Sequence, residues 1–493
     1  MKKLLLSLSV VIAGCGGGGG SDPIIVVPSM SQYWTIEDTG LVIPNDNAHS
    51  DRWFNFFEVA DINSDGLEDV VLTGVEVVHG FVGTWTHKTF LPNKPKIILG
   101  GQKITSNDAI VPSGTGYSRV VVYDMNGDGK DDILFQDSGP DAGASPGGQN
   151  QLVISSSKNH ELAELPAMLA STSSSAGGQI SGNKVLFMNT MSGEVSVPFL
   201  LIYRNGSFVM DRTMLPSFIT DTITDPWVPT GKRPIRSFTA TAIGDVDGDG
   251  IDDLILGQWG PYSSNLLPSG LIDPLATSSI VLGTSSGWSS GRTVKLPNPS
   301  RLPPEKVTVL DIKLVNLFGS GKKDIIVVYT DNYKSRGIQI LKNNGDGNFT
   351  DVSDDALGTS SYNIGKAEFQ SRVVDVNGDG CMDIVLPYYK ERTDGKAFGE
   401  VFLSDCKGRF VDATQAFNTI ILELQTKLKN ELMIAGGIFL MPLKDYTGRT
   451  SFYMLVQDNY STKNPSGSTH VMKLKNLLNM PTPLNGKIVL KQG

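Results

Sequence analysis

Asp245-Val-Asp-Gly-Asp-Gly-Ile-Asp-Asp253-Leu-Ile-Leu256 is the stretch on which the fold turns. Side-chain oxygens alternate at Asp245, Asp247 and Asp249, Gly250 stands where the chain must bend, and Asp253 closes the loop. Short carboxylates alternating on a tight loop turn several oxygens toward one centre. An all-oxygen donor set with flexible geometry is hard-cation chemistry and suits Ca²⁺ better than Mg²⁺. An EF-hand begins in the same way but needs a bidentate Glu at its twelfth position. Here that position is Leu256, and the chain runs on as a β-rich apolar stretch rather than a helix. The loop is therefore expected to join two strands of a hairpin.

Three further stretches share the form D-x-[DN]-x-D-G-x-x-D. Their oxygens come from Asp61, Asn63, Asp65 and Asp69, then Asp124, Asn126, Asp128 and Asp132, and finally Asp375, Asn377, Asp379 and Asp383. Each is followed by an apolar run, and the spacing between copies exposes weaker ones. Met188-NTMSGEVS keeps Gly193, Asn316-LFGSGKKD keeps Gly321 and Asp324, and Leu443-KDYTGRTS keeps Gly448. Loop starts at 61, 124, 188, 245, 316, 375 and 443 give seven repeats of about 64 residues. Within most repeats a second hairpin follows, as in Leu201-IYRNGSFVM, Ile280-VLGTSSGW, Gln339-ILKNNGDGNFTDV and Val401-FLSDCKGRFVDA. Asn-Gly and Asp-Gly are hairpin-turn pairs, so Asp346 reads as turn chemistry, not as a ligand. Four strands per repeat and seven repeats predict an all-β chain, a seven-bladed propeller of four-stranded antiparallel blades over 31–493.

These loops and their strand flanks, with Leu256-Gly-Gln-Trp-Gly-Pro261 after the third, resemble the FG-GAP and VCBS repeats. The resemblance implies the propeller of integrin α-chain heads and about four structural Ca²⁺ sites, held by the sixteen side chains named above and not by the repeats at 188, 316 and 443. It implies no particular activity, because the family includes adhesion modules, lectins, accessory domains and lyases.

In a meander of four strands the first and third connections share one face, and the second shares the other with the inter-blade connection. The cation loops are first connections. The opposite face then carries Trp85, Trp259, Tyr262, Tyr333, Tyr388 and Tyr389 in second connections and Trp227 in an inter-blade one. Aromatics among polar neighbours suit glycan or protein recognition, so these are the candidate ligand contacts. Phe417, Ile421, Leu424, Leu428 and Leu432 recur at helical spacing and predict one inserted helix near 416–434. Cys381 and Cys406 fall in two connections of the same face and are expected to form a disulfide.

Lys2 and Lys3 precede an apolar run, Leu4 to Ala13, too short to span a bilayer. The run ends Ile12-Ala-Gly-Cys15, which resembles the lipobox of bacterial lipoproteins. It implies a signal peptide over 1–14, cleavage before Cys15, lipidation of that thiol, and a Gly-rich tether over 15–30. The expected location is the bacterial cell envelope, with the membrane touched only through the lipid. The chain of 493 residues carries a net charge of -9 and a pI near 5.2, which argues against a nucleic-acid surface. The expected function is a monomeric, non-enzymatic binding protein whose partner is a glycan or an envelope or extracellular protein, in an adhesion or scaffolding role. The alternative is a polysaccharide-acting enzyme of lyase type. Such an enzyme needs a base in a cleft, and the only local cluster of histidines is His79 with His87.

Overall fold

The computed structural model describes residues 25–27, 34–47, 50–78, 90–91, 93–106, 117–137, 148–155, 160–166, 169–193, 195–224, 230–260, 277–289, 291–364, 370–389, 399–417, 432–434, 437–438, 440–458, 468–476 and 488–490. Its strands form seven antiparallel blades in a propeller ring. We letter the strands of each blade a to d from the axis outward. Blade 1 is Ser50–Ala60, Asp69–Val78, Lys96–Leu99 and Thr105–Ser106. Blade 2 is Tyr117–Tyr123, Asp132–Asp137, Gln151–Ser155 and His160–Leu162. Blade 3 is Leu169–Ile180, Asn183–Gly193, Phe199–Arg204 and Ser207–Asp211. Blade 4 is Phe238–Gly244, Asp253–Gln258, Ser279–Val281 and Thr293–Lys295. Blade 5 is Thr308–Val315, Asp324–Thr330, Ser335–Gly345 and Asn348–Asp351. Blade 6 is Arg372–Val374, Asp383–Leu386, Glu400–Ser404 and Phe410–Asp412.

Blade 7 closes the ring. Its strands a to c are Met441–Lys444, Thr450–Asp458 and Ser468–Asn476, and the N-terminal strand Trp34–Pro44 supplies the outermost, pairing Trp34 with Asn476 and Pro44 with Ser468. The two ends of the chain are thus held in one sheet.

The core lies in the seams between blades. One cluster joins Phe57 and Val70 of blade 1 to Leu443 and Leu455 of blade 7, and others fill each seam from blades 1–2 through 5–6. The b strands are buried on both faces, which is why Asp253–Gln258 and Asp324–Thr330 read as nearly unbroken apolar runs. Turn chemistry follows the sequence: Asn205 and Gly206 both have positive φ (52° and 83°), as a tight hairpin turn between strands of right-handed twist requires.

Three expectations need correction. The weak loop placed at Met188 lies inside strand b of blade 3. The a–b connection there is the two-residue turn Ser181-Gly182, with φ of 51° and 74°, too short to wrap a cation. The last loop begins at Asp445 rather than Leu443, because strand a runs through Lys444. The inserted helix is helical at 414–417, and 418–431 lies outside the described residues, but it does not reach 434. Leu432–Ile434 is a strand that pairs with strand b of blade 7, Leu432 opposite Asp458. Among the described residues no helix is long and apolar enough to cross a membrane.

Candidate functional site

The four acidic loops sit at one place in the architecture. Each connects strand a to strand b, at 61–68, 124–131, 245–252 and 375–382, and all four face the same side of the ring. Their inner geometry repeats. The first carboxylate takes the loop's own N–H groups: Asp124 Oδ1 accepts from Gly127 at 2.8 Å and Asp128 at 3.1 Å, and Oδ2 accepts from Gly129 at 3.1 Å. Asp375 does the same with Gly378, Asp379 and Gly380. Gly129 and Gly380 have φ of 85° and 88°, a left-handed bend that a side chain would strain. The third and fifth positions face each other, with Asn63 Nδ2 3.0 Å from Asp65 Oδ2 and Asn377 Nδ2 3.0 Å from Asp379 Oδ2. In blade 4, Asp245, Asp247 and Asp253 each offer an oxygen within 4.8 Å of the others. That spacing fits oxygens sharing one cation with 2.3–2.6 Å bonds, so this donor set passes the test of chemistry and size for Ca²⁺.

The final Asp of each motif has a second occupation. Asp69, Asp132, Asp253 and Asp383 are fully buried. One oxygen accepts the N–H of the loop's second residue: Ile62 at 2.9 Å, Met125 at 2.8 Å, Val246 at 2.8 Å and Val376 at 2.7 Å. The other oxygen accepts an N–H at the c–d hairpin: Gly100, Ser155, Gly283 and Ser404. This residue staples the loop to the neighbouring hairpin. Burial pushes Asp69, Asp132 and Asp253 up to about 6 and Asp383 up to about 8, against the N–H donors that pull the other way. Blade 5 keeps the staple without the rest of the motif, since Asp324 accepts from Leu317, Phe318 and Asn343.

Two loops carry protein cations. Lys184 of blade 3 reaches across the seam to put Nζ 2.5 Å from Asp124 Oδ2. Burial raises Asp124, but Lys184 with the Gly129 and Gly127 N–H groups outweighs it and holds the carboxyl below its usual range. In blade 7 the loop is shorter, and Asp445 takes Lys473 Nζ at 3.1 Å, with both side chains buried. Neither lysine was found by reading the motifs, because each comes from a strand distant in sequence. Cys381 in the blade 6 loop is bonded to Cys406 in the c–d connection of the same blade, with Cα atoms 5.3 Å apart.

The opposite rim carries Trp259, partly buried just after strand b of blade 4, and Tyr333, 38% exposed in the turn between strands b and c of blade 5. Tyr333 has φ of 58° and lies near enough to Arg119, on the ring axis, to act on it electrostatically. Tyr388 and Tyr389 form a short strand against Gly437–Ile438, so their backbone extends a sheet. Trp85, Trp227, Tyr262, His79 and His87 lie outside the described residues, as does Cys15 with the whole of 1–24.

Residues 316–386, from the blade 5 loop through strand b of blade 6, match the family described as FG-GAP-like repeat. No curated protein matches the chain. Among solved structures it is similar to a rhamnogalacturonan lyase of Bacillus licheniformis, at 12% identity over 87% of this chain and 75% of that one, with a TM-score of 0.38. It is also similar to an exotype rhamnogalacturonan lyase, at 12% identity over 87% and 75%, TM-score 0.36. A third is the periplasmic gluconolactonase of Pseudomonas aeruginosa, at 11% identity over 79% and 93%, TM-score 0.36. The expectation of a non-enzymatic chain does not stand: these solved structures are enzymes, their likeness carries no activity to this chain, and catalysis is left open.

Proposed function

We propose that this chain is a Ca²⁺-stabilised propeller that binds a glycan or protein partner through the rim opposite its cation loops. The observation that carries this reading is the division of the ring into two faces. One face holds four acidic loops of repeated geometry, and the other presents Trp259 and Tyr333 in b–c connections. Ca²⁺ here is structural. The oxygens at the first, third and fifth positions would hold it, and its charge offsets the repulsion among carboxylates crowded on one loop. The lipobox-like Ile12-Ala-Gly-Cys15 supports a location at a bacterial envelope, with a lipid tether through Cys15.

Metal and binding arms test this together. A cation bound only by the folded chain stabilises it by about 2.7 kcal/mol per site at a hundredfold excess over Kd. Chelation should lower the melting temperature markedly, Ca²⁺ should restore it better than Mg²⁺, and Asp128→Ala should lower the bound-cation count by one. Identical melting in chelator and in millimolar Ca²⁺, with no bound metal, refutes the calcium reading. The double change Trp259→Ala with Tyr333→Ala should weaken capture of envelope glycans or proteins while leaving melting nearly unchanged. Unchanged capture rejects the rim.

A further inference from the structure

The inner strands enclose a cavity of about 190 Å³ on the ring axis, remote from the cation loops' own oxygens. Four charged side chains line it: Glu58 of blade 1, Arg119 of blade 2, and Asp311 and Lys313 of blade 5. Glu58 and Lys313 keep 30% and 28% of their side-chain surface accessible although they lie deep in the ring, because they face this space, while Asp311 is buried. The anions are already matched. Lys313 Nζ stands 3.6 Å from both Glu58 Oε1 and Asp311 Oδ1. Asp311 Oδ2 also accepts from the Ser371 N–H at 2.7 Å and hydroxyl at 2.8 Å, and Glu58 Oε1 accepts from Gln370 Nε2 at 3.1 Å.

Arg119 is different. Among the described residues no carboxylate lies within ion-pair distance of it. Its guanidinium sits over the Phe56 ring, 4.9 Å from the centroid, and Nη2 donates across the channel to the Leu310 carbonyl of blade 5. That leaves the rest of the planar fork to the cavity. Behind it stands Gln136, its cross-strand partner on the same side of blade 2, fully buried with neither amide atom hydrogen-bonded among the described residues. The hydroxyl of Thr73, cross-strand from Phe56, is buried in the same condition. Buried polar groups are in the large majority hydrogen-bonded, so two unmatched ones beside the Arg119–Phe56 pair call for an explanation.

We propose that this axial cavity is a binding site for a small carboxylate anion held by Arg119. A guanidinium fork matches a carboxylate in bidentate geometry, and the Phe56 face beneath it keeps the fork in plane. The four charged groups sum to zero, and Glu58 and Asp311 stand close by, so a monoanion is better tolerated than a dianion. The volume lies below the roughly 300–1,000 Å³ of drug-sized ligand sites, which limits the occupant to about one sugar ring and excludes a polymer.

The test uses the full chain in calorimetry and saturation-transfer NMR with acetate, D-glucuronate, D-glucose and inorganic phosphate. Acetate and glucuronate should bind saturably and compete with each other, whereas glucose should not bind. Arg119→Gln should weaken both carboxylates at least tenfold. Arg119→Lys keeps the charge but not the fork, and should weaken them as well, which maintains the test if the first variant fails to fold. The proposal is overturned if neither carboxylate saturates, if affinity survives loss of the guanidinium, or if phosphate binds more tightly than both.

Discussion

Asp324 separates two roles that the acidic motif combines. In blade 5 the other carboxylates are gone, yet Asp324 still binds the N–H groups of Leu317, Phe318 and Asn343 at 2.9, 3.3 and 2.9 Å. Asp324→Ala strands three donors in a buried place. We expect it to cost roughly 3 kcal/mol in denaturant unfolding, with no change in bound cation. A loss of metal in this variant contradicts the staple. The same position governs pH dependence in the intact loops. Asp69, Asp132 and Asp253 are raised to about 6 and Asp383 to about 8, so the folded chain holds protons that the unfolded chain, titrating near 3.8, releases. Their contribution is fully present below 3.8 and is lost as pH rises through 6 and then 8. Asp445 works in reverse. Burial raises it, but Thr447 and Lys473 outweigh burial, so its contribution holds above 3.8 and fades as pH falls further. Melting in chelator should therefore weaken between pH 4 and 8 and again at strongly acid pH, and Ca²⁺ should rescue most at the upper end. A chelated melting curve flat across pH 4–8 rejects the assignment.

Among elements, the strand Trp34–Pro44 decides whether the ring holds. Its sequence is WTIEDTGLVIP, and it forms the outermost strand of blade 7. Its anchor is Trp34, 2% exposed, with ring centroids 5.2 Å from Phe417 and 5.5 Å from Phe452. Trp34→Ala removes a buried ring that packs the N-terminal strand against Phe452 of blade 7 and against Phe417. It should cost about 3–5 kcal/mol and open the closing blade before the others, seen as early amide exchange in 441–476. Uniform exchange across all blades runs against this. The blade 7 loop has fewer residues than the intact loops and brings Asp445 to Lys473, whose ammonium sets a positive charge against the carboxylate. Blade 3 goes further and keeps only Ser181-Gly182, a turn without ligands.

For the whole molecule, attachment and fold are separate matters. On the proposed lipid tether, in which both the thioether and the cleavage would depend on the Cys15 thiol, Cys15→Ser should release the chain from membrane fractions while the melting temperature of the propeller stays the same. Unchanged membrane partitioning rejects the lipid tether. The number of blades, the hairpin position of the four intact loops and the a–b–c–d order were legible in the chain, because a loop of alternating carboxylates with a fixed glycine, followed by a strand buried on both faces, is a local pattern of short reach. In blade 3 only the hairpin turn was misplaced: Ser181-Gly182 carries no carboxylates, so the acidic-loop pattern that marks the other blades pointed instead to Met188, inside strand b. Leu432 escaped because an apolar residue at helical spacing also fits a strand, and pairing with Asp458 decided between them. Closure by Trp34–Pro44, the lysines on Asp124 and Asp445, and the meeting of Arg119, Glu58, Asp311 and Lys313 on the axis were set only by the tertiary structure. Each joins residues tens to hundreds of positions apart, and the energy that selects them comes from packing radial sheets around a common axis, which leaves no periodic trace along the chain.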